Sequence, residues 1–443
     1  MSAANSPGWT RREFVRTVSG AAAAPLVASP LLASAPPAKR RYAMIGTGDR
    51  GTGMWGEPIV ARYADSVEFV GLCDINPKRA AAARDLLGVP CPTFTSFDEM
   101  CDRAKPELLM VATVDGFHSR YIVEALDRGI DVITEKPMVT DENQCRAVLD
   151  AEVRNRRKIV VAFNYRYAPK HQLIKETLLS GEIGRIVSVD FSWYLDVSHG
   201  ADYFRRWHRL KAMSGSLWVH KATHHFDLIN WWLDADPVEV TARAGLEVYG
   251  KNGRLRHTHC RPCPHRSACR FFYDLTTNPR RMKLYASCED ADGYYRDGCV
   301  FREDVDIYDT MSALVKYSNG ATLNYSVNAF MPIEGYRLAF NGEQGRLEVR
   351  DYERQPWRVE TETEIELIRS FGQRRMIPAP PVAGGHAGGD DRLLDLIFRK
   401  TEVPAYMRLP DSRAGAMSCL TGIAARTSVE QHRAVRIDDL VRL

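Results

Sequence analysis

The chain has 443 residues, a formal net charge of +4, 45% hydrophobic and 26% charged residues. That length predicts about two domains, and the composition is that of an ordinary globular protein. No basic run interleaved with aromatics points to nucleic acid, and beyond the N-terminal segment no stretch is long and apolar enough to make an integral membrane protein.

Residues 1–38 read as a leader and linker outside the fold. Thr10-Arg11-Arg12-Glu13-Phe14-Val15 is a twin-arginine pattern, followed by an Ala-rich stretch from Thr17 to Ala35. This reads as a Tat export signal and implies the Tat translocase as a partner and a periplasmic or extracellular destination. Pro25 and Pro30 interrupt the apolar stretch, which argues against a spanning helix.

Residues 39–163 read as the first domain. Tyr42-Ala43-Met44-Ile45 is a buried strand running into Gly46-Thr47-Gly48-Asp49-Arg50-Gly51, a G-x-G-x-x-G loop ahead of a helix. Gly46 permits the tight turn, Gly48 lets the backbone approach a pyrophosphate, and Gly51 lets the helix lie close to the strand. The next strand, Val67–Cys73, ends at Asp74, placed to accept from a ribose hydroxyl. Asp74 favours NAD because a 2′-phosphate would meet its charge, while Arg79 leaves NADP open. Helices follow at Asn76–Leu87 and Phe97. A third strand, Glu107–Ala112, opens into Thr113-Val114-Asp115-Gly116-Phe117-His118, and after a helix the strand Asp131–Thr134 ends in Glu135-Lys136-Pro137. A helix from Glu142 and a strand at Lys158–Phe163 complete a parallel, doubly wound sheet, with ligand-binding loops at the strand C-termini.

These motifs, with Phe163-Asn164-Tyr165-Arg166-Tyr167 and Gly181-Glu182-Ile183-Gly184, resemble the Gfo/Idh/MocA oxidoreductases over nearly all of the chain after the leader. The resemblance implies a Rossmann domain with a cofactor site at Gly46, Thr47, Gly48, Asp49, Arg50, Gly51, Asp74, Thr113, His118, Glu135 and Lys136. It implies that Lys136 sits by the nicotinamide and binds the substrate hydroxyl being oxidised. It also implies a sugar, cyclitol or glycoside substrate and a homo-oligomer.

From residue 164 to 443 the pattern becomes consecutive strands, Ile186–Tyr194, Val238–Val248, Thr310–Tyr317, Ala321–Phe330, Tyr336–Asn341 and Gly345–Arg350, which predicts an open, mostly antiparallel sheet. Between them, His220 to Leu233 reads as one helix with His220, His224 and Asp227 on a shared face. Aligned on Asp227, the family's catalytic histidine falls on His224, and its usual aspartate is replaced by His220. We therefore expect His224 as the base, Lys136 to orient the oxygen and His220 to tune the pair. Arg166, Lys221 and Asp227 are the expected substrate-binding residues, with Tyr194 and Trp207 as further candidates. His220 and His224 could also form half of a metal site, but no third ligand is evident.

Residues 251–302 form a Cys-rich insert. Cys260-x2-Cys263-x5-Cys269, with Cys288, suits a structural zinc or an iron–sulfur cluster; disulfides and free thiols are the alternatives. Near the C-terminus, a Gly-rich loop carries His386, which could reach the active site, and the helix from Asp411 to Gln431 is expected to pack on the first domain. Two other functional readings fit the same resemblance: a glycoside hydrolase using NAD transiently, and a non-catalytic sugar-binding protein.

Overall fold

The computed structural model describes residues 38–357, 362–381 and 384–442, and Lys39–Leu443 is one compact unit. The twin-arginine leader lies outside the described residues. Six strands build the first sheet: β1 (Arg40–Ile45), β2 (Val67–Cys73), β3 (Thr93–Phe94), β4 (Leu108–Val111), β5 (Asp131–Thr134) and β6 (Ile159–Val161). Their order is β3-β2-β1-β4-β5-β6, and every pairing is parallel. This is the doubly wound topology expected of buried apolar runs alternating with helices. Three of the helices start where a short polar side chain caps them: Asn76 accepts from the Arg79 N–H, Ser96 from Glu99 and Asp141 from Gln144. As a result Gly46, Asp74, Thr113 and Lys136 all follow strand C-termini along one edge of the sheet.

The second sheet has nine strands: β7 (Ile186–Asp196), β8 (Pro237–Gly245), β9 (Thr310–Tyr317), β10 (Thr322–Met331), β11 (Glu334–Gly342), β12 (Gly345–Arg354), β13 (Glu362–Arg369), β14 (Arg374–Ile377) and β15 (Val435–Arg436). The order is β14-β13-β12-β11-β7-β10-β9-β8-β15, antiparallel except for β7 with β10. The expected strands are present, and β13, β14 and β15 extend the sheet beyond them. One face is covered by the helices Ala222–Leu233 and Ser412–Gln431. The other presents polar side chains such as Ser192, Arg243, Asn324 and Ser326. Helix Ser412–Gln431 thus packs chiefly on β8 and on Ala222–Leu233. It reaches the first sheet at its start, where Gly415 lies against Val161 and Met138. One continuous apolar core runs from Ile45 and Val111 in the first sheet to Trp193, Leu323 and Leu347 in the second.

Candidate active site

The segment read as one helix from His220 to Leu233 is two. Leu217–His220 ends at Lys221, and Ala222–Leu233 follows. The break turns the two histidines to different neighbours. The His220 Nδ1 lies 2.5 Å from the Asp115 carboxylate, and its Nε2 is 3.5 Å from Lys136 Nζ. The ammonium of Lys136 also donates to the His220 carbonyl at 2.9 Å. His224 instead lies against Tyr165, with ring centroids 4.7 Å apart, and its buried Nδ1 has no hydrogen-bond partner among the described residues. His208 Nδ1 and Asn164 Oδ1 are buried and unpartnered in the same way.

Burial sets the charge states here. It pulls the Lys136 ammonium down to about 8, although the anions of Asp115 and Glu135 resist it. Burial, reinforced by the Lys136 charge, pushes His220 and His224 well below the ordinary imidazole range and keeps both neutral. It raises the Asp115 carboxyl. Lys221 sits with its ammonium 4.8 Å from the Trp193 ring and 5.6 Å from Tyr165, a cation–π setting.

Further aromatic and imidazole side chains pack around these groups. Trp207 stacks on His208 at 3.5 Å and meets His220 edge-on. Tyr203 bonds His199 Nε2 at 2.8 Å, and His199 Nδ1 bonds Glu334 at 2.9 Å. His386 comes within 5.2 Å of the Tyr165 ring, its Nδ1 held by Asp390 at 3.0 Å.

Residues 40–163 match a sequence model described as an oxidoreductase family with an NAD-binding Rossmann fold, and residues 175–437 match that of the oxidoreductase family's C-terminal alpha/beta domain. The chain belongs to the Gfo/Idh/MocA oxidoreductase family. YteT of Bacillus subtilis (strain 168) is 39% identical over 425 residues, which is 90% of this chain and 98% of YteT. The inositol 2-dehydrogenase of Rubrobacter xylanophilus is 28% identical over 216 residues, 47% of this chain and 56% of the dehydrogenase. Among solved structures, levoglucosan dehydrogenase in complex with NADH and levoglucosan has the same fold, with a TM-score of 0.65 at 18% identity over 90% of this chain and 100% of that one.

The glycine loop fits the family's dinucleotide. Gly46 has φ +88°, and a Cβ there would clash with the Ala112 carbonyl; a Cβ on Gly51 would clash with the Gly46 carbonyl. A Cβ on Gly48 would meet the Tyr285 hydroxyl at 2.9 Å, so the glycine lets that side chain come close to the loop. Several polar side chains expected to meet the cofactor are engaged by protein instead. Asp74 accepts from the Thr47 N–H (2.9 Å) and hydroxyl (3.0 Å), the Asn76 N–H (3.0 Å) and Arg79 (3.2 Å). Glu135 accepts from Arg50 at 2.6 Å and Trp55 at 2.8 Å, tying the loop helix to β5. Burial alone would raise that carboxyl, but the Arg50 and Lys136 charges and the Trp55 bond outweigh it and hold it low. His118 is buried with its nitrogens on the Pro137 (2.7 Å) and Thr113 (3.1 Å) carbonyls, so it braces two loops. Asp49 is paired with Arg280 and Arg281.

Two expectations need correction. Arg166 and Asp227 hold each other through two hydrogen bonds of 2.7 and 2.5 Å in a nearly dry setting, so neither is free for substrate. The ligand set in the insert does not converge as read. Cys260, Cys263 and Cys269 line one small cavity together with Cys299. Cys288 lies apart, its thiol donating to the Lys283 carbonyl and its own carbonyl accepting from Asn76. Among the described residues no three His, Cys, Asp or Glu side chains are grouped to hold a metal ion, and all ten cysteines are free thiols.

Proposed function

We propose that the protein is an NAD-dependent dehydrogenase that oxidises a secondary hydroxyl of a sugar, cyclitol or glycoside. The observation that carries this reading is the Lys136 ammonium at the β5 end, held by the Asp115–His220 pair. Bound NAD would supply the hydride acceptor, held along the glycine loop. Lys136 binds and polarises the substrate oxygen, and its partial loss of solvation strengthens that contact. His224, kept neutral, accepts the hydroxyl proton. Asp115 supplies through His220 the carboxylate that the aligned position lacks. Lys221, His208 and Asn164 are placed for neighbouring hydroxyls, whose bonds would satisfy the orphaned atoms. The inositol and levoglucosan specificities in the names of its relatives support a polyhydroxylated ring as substrate. Arg79 lies between Asp74 and Asp292, so its charge is met twice over, which favours NAD over NADP. The test is nicotinamide reduction across a panel of cyclitols, aldoses and glycosides: turnover that needs Lys136 supports the reading, and turnover that survives Lys136→Ala contradicts it.

The leader supports Tat export to the periplasm or beyond. Arg11→Lys with Arg12→Lys is expected to leave the protein in the cytoplasm, and unchanged export would reject this. The uncovered polar sheet face supports a homo-oligomer, which light scattering would detect; a monomer at micromolar concentration would count against it.

A further inference from the structure

Residues 279–296 of the insert lie across the dinucleotide track at two separate points. At the glycine loop, the Tyr285 hydroxyl accepts from the Asp49 N–H at 2.8 Å and stands 2.9 Å from where a Gly48 Cβ would be. Arg280 and Arg281 flank Asp49 at 3.2 and 3.0 Å, and Arg280 also pairs with Glu57. At the strand end that carries Asp74, Arg79 runs from Asp74 to the Leu284 carbonyl (3.2 Å) and Asp292 (2.6 Å). Asn76 donates to the Cys288 carbonyl at 2.8 Å, and Lys78 pairs with Asp290. The Arg79 guanidinium lies over the rings of Tyr285 and Tyr294.

Three donor atoms in this stretch lack a hydrogen-bond acceptor among the described residues. Arg280 Nε and Nη2 and Arg296 Nε are buried without a hydrogen-bond partner, although the Arg280 charge is met by Asp49 and Glu57 and Arg296 is held by Asp202 through its other two nitrogens; the Arg296 side chain is 3% exposed, its guanidinium over the Tyr285 and Tyr273 rings. An unmet Arg280 N–H beside the glycine-loop helix, with Arg281 next to it, suits an anion with several acceptors, and a pyrophosphate has that chemistry. We infer that the insert supplies the outer wall of the dinucleotide site: Arg280, Arg281 and Tyr285 face the pyrophosphate, and the Arg79–Asp292 bridge closes the ribose end. The cofactor then lies between the glycine loop and the insert, and it leaves only when the contacts of 279–292 part.

This inference rests on the dinucleotide reading above, and one experiment separates the two. NADH release is followed by fluorescence in the full chain and in Arg280→Ala/Arg281→Ala and Tyr285→Phe, with amide exchange of 279–292 measured with and without NADH. We expect slow release from the wild type, release about tenfold or more faster from the double variant, and slower exchange across 279–292 when NADH is bound. Equal release from wild type and double variant, with exchange in 279–292 indifferent to NADH, overturns the wall while leaving the dinucleotide site intact. Tighter binding by Tyr285→Phe with the double variant unchanged also overturns it, because the hydroxyl then only blocks the loop. A wild type that binds neither NAD(H) nor NADP(H) overturns both readings.

Discussion

At the glycine-loop end of the site, Asp74 takes four hydrogen bonds, Glu135 takes two side-chain donors and Arg79 sits between two carboxylates. At the Lys136 end, His224 Nδ1, His208 Nδ1 and Asn164 Oδ1 are buried with no partner. The first end is built at little cost because Asp74, Glu135 and Arg79 are each met by protein partners, and among the described residues only donors of the insert arginines Arg280 and Arg296 are left over there. The second carries roughly 1–3 kcal/mol for each unmet group, a cost that a hydroxylated ligand would relieve. Cofactor binding is therefore organised by the fold itself, whereas the chemical centre is left incomplete for a substrate to finish.

The largest effect that tests this contrast is expected from Lys136→Ala. Its kcat should fall by about 10³-fold or more, since it removes the group that meets charge developing on the oxygen. NADH affinity should stay close to wild type, because the paired end is untouched; equal damage to both would erase the contrast.

Arg166→Ala should act on stability rather than recognition. It leaves Asp227 buried without its partner, and one member of a buried pair is worth about 3–5 kcal/mol. A clear fall in Tm with an unchanged KM is the expected result. Burial already lifts the Asp227 carboxyl to about 6 against the pull of Arg166, so the variant should take up a proton there near neutral pH.

Asp115→Asn should cost about tenfold in kcat and leave a signature that a packing defect would not. Lys136 must be charged to polarise the oxygen, so kcat/KM should fall as pH rises through about 8. The Asp115 anion favours the ammonium, so its removal lowers the Lys136 pKa and moves that fall to lower pH. A limb that stays in place would assign it to another group.

The smallest effect concerns the insert. A denatured, unreduced sample should titrate all ten thiols, and treatment with a chelator should leave activity and Tm unchanged. A shortfall of thiols, or iron or zinc in the sample, would show that the cysteines around the Arg205–Cys299 cavity do more than pack.

Local pattern made the first domain readable. Each strand is a short apolar run, the helices from Pro77, Phe97 and Glu142 each have a capping side chain, and the functional loops sit where strands end. The site was less readable wherever distant segments meet. Asp115 is one acid in a strand-end loop, and nothing near it in sequence announces a bond to a histidine 105 positions on. The helix break at Lys221 carries no proline or glycine, so His220 and His224 looked like neighbours on one face. Arg166 is a basic group of the kind that suits a sugar ring and Asp227 belongs to the family's histidine–aspartate pattern, and only tertiary contact pairs them. In the insert, spacing found Cys260, Cys263 and Cys269, but Cys299 is brought to them by the His259–Gly298 bridge. The β13 strand was within reach: Glu362–Arg369 places Ile365 and Leu367 on one buried face.

The most direct test of the account is steady-state reduction of NAD by the wild type and Lys136→Ala with a panel of cyclitols, aldoses and glycosides, run beside NADH binding to both. We expect turnover of at least one polyhydroxylated ring by the wild type, its loss in Lys136→Ala, and NADH binding by both proteins. Turnover that persists without Lys136, or a wild type that binds NADH yet oxidises no member of the panel, would contradict it.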